Sequence, residues 1–271
     1  MDLELKGKRA LVTGSSSGLG AAIALELAAE GVSVAVHGRD RDRAEETARK
    51  VEAKGVKAVV TTGDLGRDED VEAVAAAALE GLGGIDILVN NVGAVLRMDN
   101  PDWLDVTARE WVDSFNLNLL AALRFSQILS PRMRAQGWGR IINISSTAGS
   151  QTRGFLLDYS IPKAGIDNLT VNLSKLLAPD GITVNAVIPG TIMTPAVERW
   201  LVTLKAQLGW GDDEAENERI YTSEITPQPI RRLGRPREIA VAVALLASPL
   251  SGYTTGASLR IDGGTADAIG A

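Results

Sequence analysis

Along the chain, short apolar runs alternate with longer stretches rich in helix-favouring residues. The apolar runs lie at residues 10–12, 32–36, 56–61, 85–89, 140–144, 182–188 and 255–264 and are expected to form strands. Between them, residues 21–28, 41–54, about 68–82, about 108–136, about 158–178 and 236 to about 247 are expected as helices, with Pro131 kinking or interrupting the fourth. Strands that are apolar at nearly every position and alternate with helices imply a parallel sheet covered on both faces, wound right-handed. The expected class is α/β, a doubly wound parallel sheet of about seven strands. Ligands of such sheets bind beyond the carboxyl ends of the strands, which gives functional weight to the residues just after each strand.

Composition narrows the picture. The 271 residues, 45% hydrophobic with 28 Gly and 4% aromatics, suit a globular α/β chain with ample core; no repeat or linker interrupts them, so 1–271 is read as one domain. A net charge of −6 without a Lys/Arg run argues against a nucleic-acid partner. No apolar run approaches the ~18 residues of a membrane span, and the opening Met-Asp-Leu-Glu-Leu-Lys lacks a signal-type core, so no membrane partner and a cytoplasmic location are expected. The absence of cysteine excludes disulfides, thiolate metal sites and cysteine nucleophiles. With His37 the single histidine, no metal site is expected and a Ser-His-Asp triad is disfavoured.

The first candidate chemistry lies at 13–20, Thr-Gly-Ser-Ser-Ser-Gly-Leu-Gly, between the first strand and the first helix. Glycines there permit positive φ and close backbone approach, and a helix start offers unpaired N–H groups and a positive dipole end to a phosphate. The alternative is a plain structural turn. A nucleoside-triphosphate loop is excluded, because no Lys-Ser/Thr follows the second glycine.

The spacing of Gly14, Gly18 and Gly20 resembles the T-G-x-x-x-G-x-G pattern of the short-chain dehydrogenase/reductase family, in its 3-oxoacyl-carrier-protein-reductase-like form. The resemblance covers roughly residues 5–264 and implies a Rossmann-type fold binding NAD(P), with the pyrophosphate held at Gly14, Ser16, Ser17, Gly18, Leu19 and Gly20. After the second strand, Gly38 stands where an acid would bind the adenosine ribose, and Arg39 follows. An Arg there can pair with a 2′-phosphate, so NADP(H) is favoured and NAD(H) stays possible; the alternative is that Arg39 is a solvated charge. Ser17 stands where many NADP-using relatives carry a basic residue. His37 is read as a bystander at the sheet edge, with a contact to the adenine end as the weaker option. Asp64 and Leu65 match the position that holds the adenine, or Asp64 is a helix N-cap. Asn90-Asn91-Val92-Gly93 resembles the family's N-N-A-G, so Asn91 and Gly93 are cofactor-side candidates of partly structural role.

Tyr159 and Lys163, four apart, share a helical face, and Ser146 precedes Tyr159 by thirteen residues. That spacing is the one the family carries, which favours Ser146 over Ser145. A carbonyl receiving hydride develops negative charge on oxygen and needs hydrogen-bond donors and a proton. A Lys ammonium and an oxidised nicotinamide are expected to lower the Tyr159 pKa from about 10. The resemblance implies Tyr159 as acid/base, Lys163 as its tuner and holder of the nicotinamide ribose, and Ser146 as the group orienting the substrate oxygen. It also implies that Asn118, chosen over Asn116, distorts its helix and supports a water. Pro162 departs from the small hydroxyl residue usual there; a helix starting near Asp158 is expected to keep Tyr159 and Lys163 together.

Pro189-Gly190-Thr191-Ile192-Met193-Thr194 resembles the family's P-G-x-x-x-T, making Pro189, Gly190, Ile192 and Thr194 candidates for the nicotinamide carboxamide; a Pro-Gly turn with Thr194 as an N-cap is the alternative. Residues from about 194 to 230 are read as a substrate lid, whose Trp200, Trp210 and Tyr221 face substrate or serve packing or subunit contacts. The expected function is reversible ketone and secondary alcohol interconversion by hydride transfer on a small-molecule substrate. A non-catalytic NAD(P) sensor or scaffold is the alternative. A homotetramer or homodimer through the two long helices is implied by the resemblance.

Overall fold

The computed structural model describes residues 1–96, 102–151 and 156–267. In chain order the elements are β1 (Arg9–Val12), α1 (Gly18–Ala29), β2 (Ser33–Gly38), α2 (Arg41–Glu52), β3 (Ala58–Thr62), α3 (Asp68–Leu82) and β4 (Ile87–Asn90). There follow α4 (Ala108–Phe115), α5 (Ala121–Ala135), β5 (Gly139–Ile144), α6 (Leu157–Leu177), β6 (Ile182–Pro189), α7 (Pro195–Leu208), α8 (Glu214–Ile220), α9 (Pro236–Ala247) and β7 (Ser258–Ile261). The seven strands form one parallel sheet in the order β3-β2-β1-β4-β5-β6-β7. The expected Rossmann-type doubly wound sheet is what the chain forms.

Strand side chains alternate between two cores, as a period of two requires. Ala10, Val12, Val34, Val36, Ile87 and Val89 pack with Ile23 and Leu27 of α1 and Val243 of α9. Leu11, Ala35 and Leu88 face the other way, onto Val71 and Ala78 of α3 and Phe125 and Leu129 of α5. Both faces are therefore dry, and the strand ends near Thr13, Gly38, Asn90, Ser145 and Gly190 are left to build a site. No helix among the described residues is long and apolar enough to cross a membrane.

Two sequence expectations change here. Pro131 lies inside α5 without ending it. Its ring is exposed while Phe125, Leu129 and Met133 are fully buried, so core packing holds the helix against the missing N–H. The interruption comes earlier, at a π-helical turn Asn116–Leu120 between α4 and α5. His37 is not at a sheet edge: β2 is flanked by β1 and β3, and His37 is buried.

Candidate active site

A cleft of about 530 Å³ opens at the carboxyl ends of the central strands. Its walls include Gly14, Ser17, Gly18, Leu19, Gly20, Asn91, Gly93, Ser146, Tyr159, Lys163, Pro189, Gly190, Ile192 and Thr194, so fourteen of the sequence candidates meet there. Asn118, Ser16, Arg39, Asp64 and Leu65 do not line it.

The turn after β1 is shaped for close approach. Gly14 and Gly18 have φ of +65° and +56°, the left-handed region that costs other residues strain. A Cβ on Gly20 would lie 2.2 Å from the Gly14 carbonyl oxygen. Ser17 caps α1 by position only; its side chain makes no cap bond and the first turn holds no acid, which leaves the first-turn N–H groups and the positive dipole end facing the cleft.

His37 fixes that turn. Its Nδ1 accepts the Gly14 N–H at 3.0 Å and its Nε2 lies 3.2 Å from the Gly63 carbonyl, which assigns the Nε2–H tautomer. The ring is 2% exposed, and burial lowers its pKa from 6.5 to about 4, so it stays neutral. Sequence reasoning missed this latch, since a lone His on an apolar strand carries no local signal of its partner.

At the far end of β2, a Cβ on Gly38 would lie 2.4 Å from Ser16 Oγ, so Ser16 fills the place an acidic side chain at 38 would need. Arg39 is exposed and outside the cleft; Arg43, from the first turn of α2, lines it while bridging Asp40 at 3.0 Å. Arg199 of α7 is the other arginine in the walls among the described residues. Among the described residues, Arg43, Lys163 and Arg199 are the charged ones that line the cleft, and no carboxylate does, in a chain of net charge −6.

Asp64 is exposed and accepts from the Gly66 N–H, its own N–H donating to Asp70; the N-cap of α3 is Arg67, so the N-cap alternative for Asp64 does not hold. Leu65 is buried in the core beneath. Asn91 Nδ2 donates to the Thr13 carbonyl at 2.9 Å, tying β4 to β1. Thr194 is the N-cap of α7, its hydroxyl accepting the Val197 N–H, and it also lines the cleft against Gly18. Ile192 bridges Gly234, and Met193 N–H donates to the Gly234 carbonyl at 2.8 Å, which closes the base of the excursion carrying α7 and α8. Within it Trp200 and Tyr221 stack edge to face at 5.3 Å, so these two aromatics pack on each other.

Helix α6 begins at Leu157, close to the expected start, and keeps Tyr159 and Lys163 on the cleft side despite Pro162. Lys163 is 2% exposed, its Nζ donating to the Ile144 carbonyl at 2.8 Å and lying 5.7 Å from the Tyr159 ring centroid. Burial lowers the Lys163 pKa to about 8, with Asp167 one turn along opposing the shift. Tyr159 and Ser146 face each other in the cleft wall. The Tyr159 pKa is raised, by burial first, with Ser146 pulling it down; the lowering expected from Lys163 is not what this geometry gives, because the ammonium is aimed at a carbonyl instead of the phenol. Ser145 points elsewhere, its hydroxyl donating to the Lys163 carbonyl at 3.2 Å. Asn118, 1% exposed on the π turn, clasps Ala94: Oδ1 accepts its N–H at 2.9 Å and Nδ2 donates to its carbonyl at 3.0 Å.

A proton donor, a polarising hydroxyl and a buried cation beside a glycine-walled groove can reduce a carbonyl if a hydride source lies in the groove. Comparison with known proteins gives the same direction. The family model described as short chain dehydrogenase matches residues 8–203. Nodulation protein G of Azospirillum brasilense is 38% identical over 263 residues, 95% of this chain and 97% of that protein. The 3-oxoacyl-[acyl-carrier-protein] reductase of Staphylococcus aureus is 34% identical, over 95% of this chain and 97% of its own. Among solved structures, L-sorbose reductase from Gluconobacter frateurii, complexed with NADPH and L-sorbose, superposes with a TM-score of 0.90 at 33% identity, covering 99% of this chain and 100% of that one. A 7α-hydroxysteroid dehydrogenase complexed with NADH and 7-oxo glycochenodeoxycholic acid gives 0.85 at 30% identity, over 99% of this chain and 98% of that one.

Proposed function

The chain belongs to the short-chain dehydrogenase family and is an NAD(P)-dependent oxidoreductase, and on that footing we propose that it interconverts a ketone and a secondary alcohol with Tyr159 as the acid/base. The observation that carries the reading is the convergence of Ser146, Tyr159 and the buried Lys163 on one cleft wall. The cofactor supplies hydride chemistry when bound. The protein groups do the rest: Ser146 orients the carbonyl oxygen, and Tyr159, kept neutral by burial, gives it a proton. The Tyr159 phenolate left behind regains its proton from solvent by way of Lys163, which would also hold ribose hydroxyls, while Asn118 fixes the strand exit beside it and supports a water toward solvent.

The residues fit a dinucleotide. The Gly14–Gly20 turn and the start of α1 receive the pyrophosphate, with Ser16, Ser17 and Leu19 shaping the turn. Arg43 and Arg199 meet phosphate charge; Asn91, Gly93, Pro189, Gly190, Ile192 and Thr194 flank the nicotinamide end, and Asp64-Leu65 the adenine. NADP(H) is favoured because the space for an acid at 38 is taken by Ser16, and a relative of 33% identity is complexed with NADPH. Arg43 replaces Arg39 as the side chain for the 2′-phosphate. NAD(H) stays in the reading because a relative of 30% identity is complexed with NADH.

The substrate is a small carbonyl compound or alcohol, admitted under a lid at about 194–230 within one domain, and the active form is a homodimer or homotetramer. The test is a panel of sugars, steroids, 3-oxoacyl thioesters and aromatic ketones run with both cofactors, following nicotinamide absorbance. Turnover with NADPH supports the reading; binding of cofactor without turnover of any substrate favours a sensor. Light scattering that gives only monomer would remove the oligomer.

A further inference from the structure

Ser114 belongs to none of the family motifs, yet it is 0% exposed and sits between the two halves of the site. Pro162 lacks the N–H that a helix would donate to the carbonyl four residues earlier, that of Asp158. That carbonyl belongs to the peptide that leads into Tyr159. From α4, the Ser114 hydroxyl donates to it at 2.6 Å. The same oxygen accepts Asn118 Nδ2 at 3.0 Å. The proton direction along this chain is therefore fixed: amide to hydroxyl, hydroxyl to carbonyl. Asn118 in turn uses its remaining amide proton and its oxygen on Ala94. Both amide protons of Asn118 are thus taken, and it holds no further donor that could take over the Ser114 bond.

We propose that Ser114 is a positioning residue: its hydroxyl replaces the helical hydrogen bond that Pro162 forfeits and ties the peptide before Tyr159 to the turn that carries Asn118. Pro162 and Ser114 then form a compensating pair. A proline that would leave a half-buried carbonyl without its helical donor next to the acid/base tyrosine is made tolerable by a serine reaching across from α4. The effect on catalysis rests on the proposed role of Tyr159; the coupling between residues 114 and 162 does not.

The test is a double-mutant cycle with Ser114→Ala, Pro162→Ala and the double variant. Each is read by thermal midpoint, NADPH dissociation constant, and kcat and KM for carbonyl reduction against pH. Ser114→Ala leaves a half-buried carbonyl without this donor, a loss that corresponds to about tenfold. It is expected to lower kcat about tenfold and to move the pH profile set by Tyr159, with KM and NADPH affinity changed less than about twofold. With Pro162→Ala present, residue 162 regains an N–H for the Asp158 carbonyl, and the same Ser114→Ala change is expected to cost less than about threefold in kcat and little in thermal midpoint. Equal losses in both backgrounds would overturn the compensation. A thermal midpoint that falls while kcat and the pH profile stay put would overturn the positioning role. If Ser114→Ala does not fold, Ser114→Cys, with its weaker donor, is read in the same cycle. If no carbonyl is reduced by the wild type, the functional reading fails, and the thermal midpoints alone still decide the coupling.

Discussion

Lowering pH from 7 toward 4 perturbs one buried group in a way that can be followed on its own, the imidazole of His37. Its pKa falls from 6.5 to about 4 on burial. Between those values the unfolded chain binds a proton that the folded chain refuses, so stability is full above 6.5 and declines as pH falls toward about 4. At 1.36 kcal/mol per unit the loss accumulates to about 3 kcal/mol. Protonation of the folded chain, as pH falls through about 4, puts a donor at Nδ1 against the Gly14 N–H, so the turn after β1 opens and cofactor affinity falls there and not at about pH 5–6. Because the chain holds 1 His, its ring proton is a single imidazole resonance whose NMR titration needs no assignment by mutagenesis. A midpoint near 4 is expected. In parallel, His37→Leu is expected to be less stable than wild type at pH 7 and to close about 3 kcal/mol of that gap by pH 4. A midpoint near 6.5, or a gap that does not change with pH, would refute the latch.

Further outcomes follow from the cleft. Arg43→Ala is expected to weaken NADPH binding about tenfold or more while changing NADH binding little, and Arg39→Ala to affect neither beyond about twofold, checked by fluorescence titration. Gly38→Asp must displace Ser16 Oγ, which a Cβ would approach to 2.4 Å; it is expected to cost about 1–3 kcal/mol in denaturant unfolding and to reduce NADPH affinity. Asp167→Asn removes the carboxylate that holds the Lys163 pKa up against burial, so Lys163 loses its proton below its present value of about 8. The alkaline fall of kcat/KM for carbonyl reduction is then expected at lower pH, and an unmoved profile would exclude the contact.

Much of this was legible in the chain because the signals are local. Seven apolar runs, the glycine spacing at 14, 18 and 20, and the pair at 159 and 163 report on structure within a few residues of themselves, and fourteen of the candidates meet in one cleft. What was not legible depends on partners far along the chain. His37 has Gly14 and Gly63 as partners, Ser114 has Asp158, and neither pairing leaves a periodic trace. That Arg43 lines the cleft and Arg39 does not was not legible, because strand-end position alone does not say which side of the α2 start faces the cleft. Pro131 did not stop α5 because buried Leu129 and Met133 outweigh one missing N–H, a tertiary effect that propensity omits. The Tyr159 pKa ran opposite to expectation because burial raises it, while the Ile144 carbonyl takes the ammonium of Lys163 that was expected to offset this.

The most direct test compares wild type with Tyr159→Phe in NADPH binding and in carbonyl reduction on a substrate found by the panel. Phenylalanine keeps the ring and removes only the hydroxyl in the cleft beside Ser146. NADPH affinity within about threefold of wild type with kcat lowered by about 10²–10⁴ is the result expected of an acid/base tyrosine. Turnover that survives the substitution would contradict it.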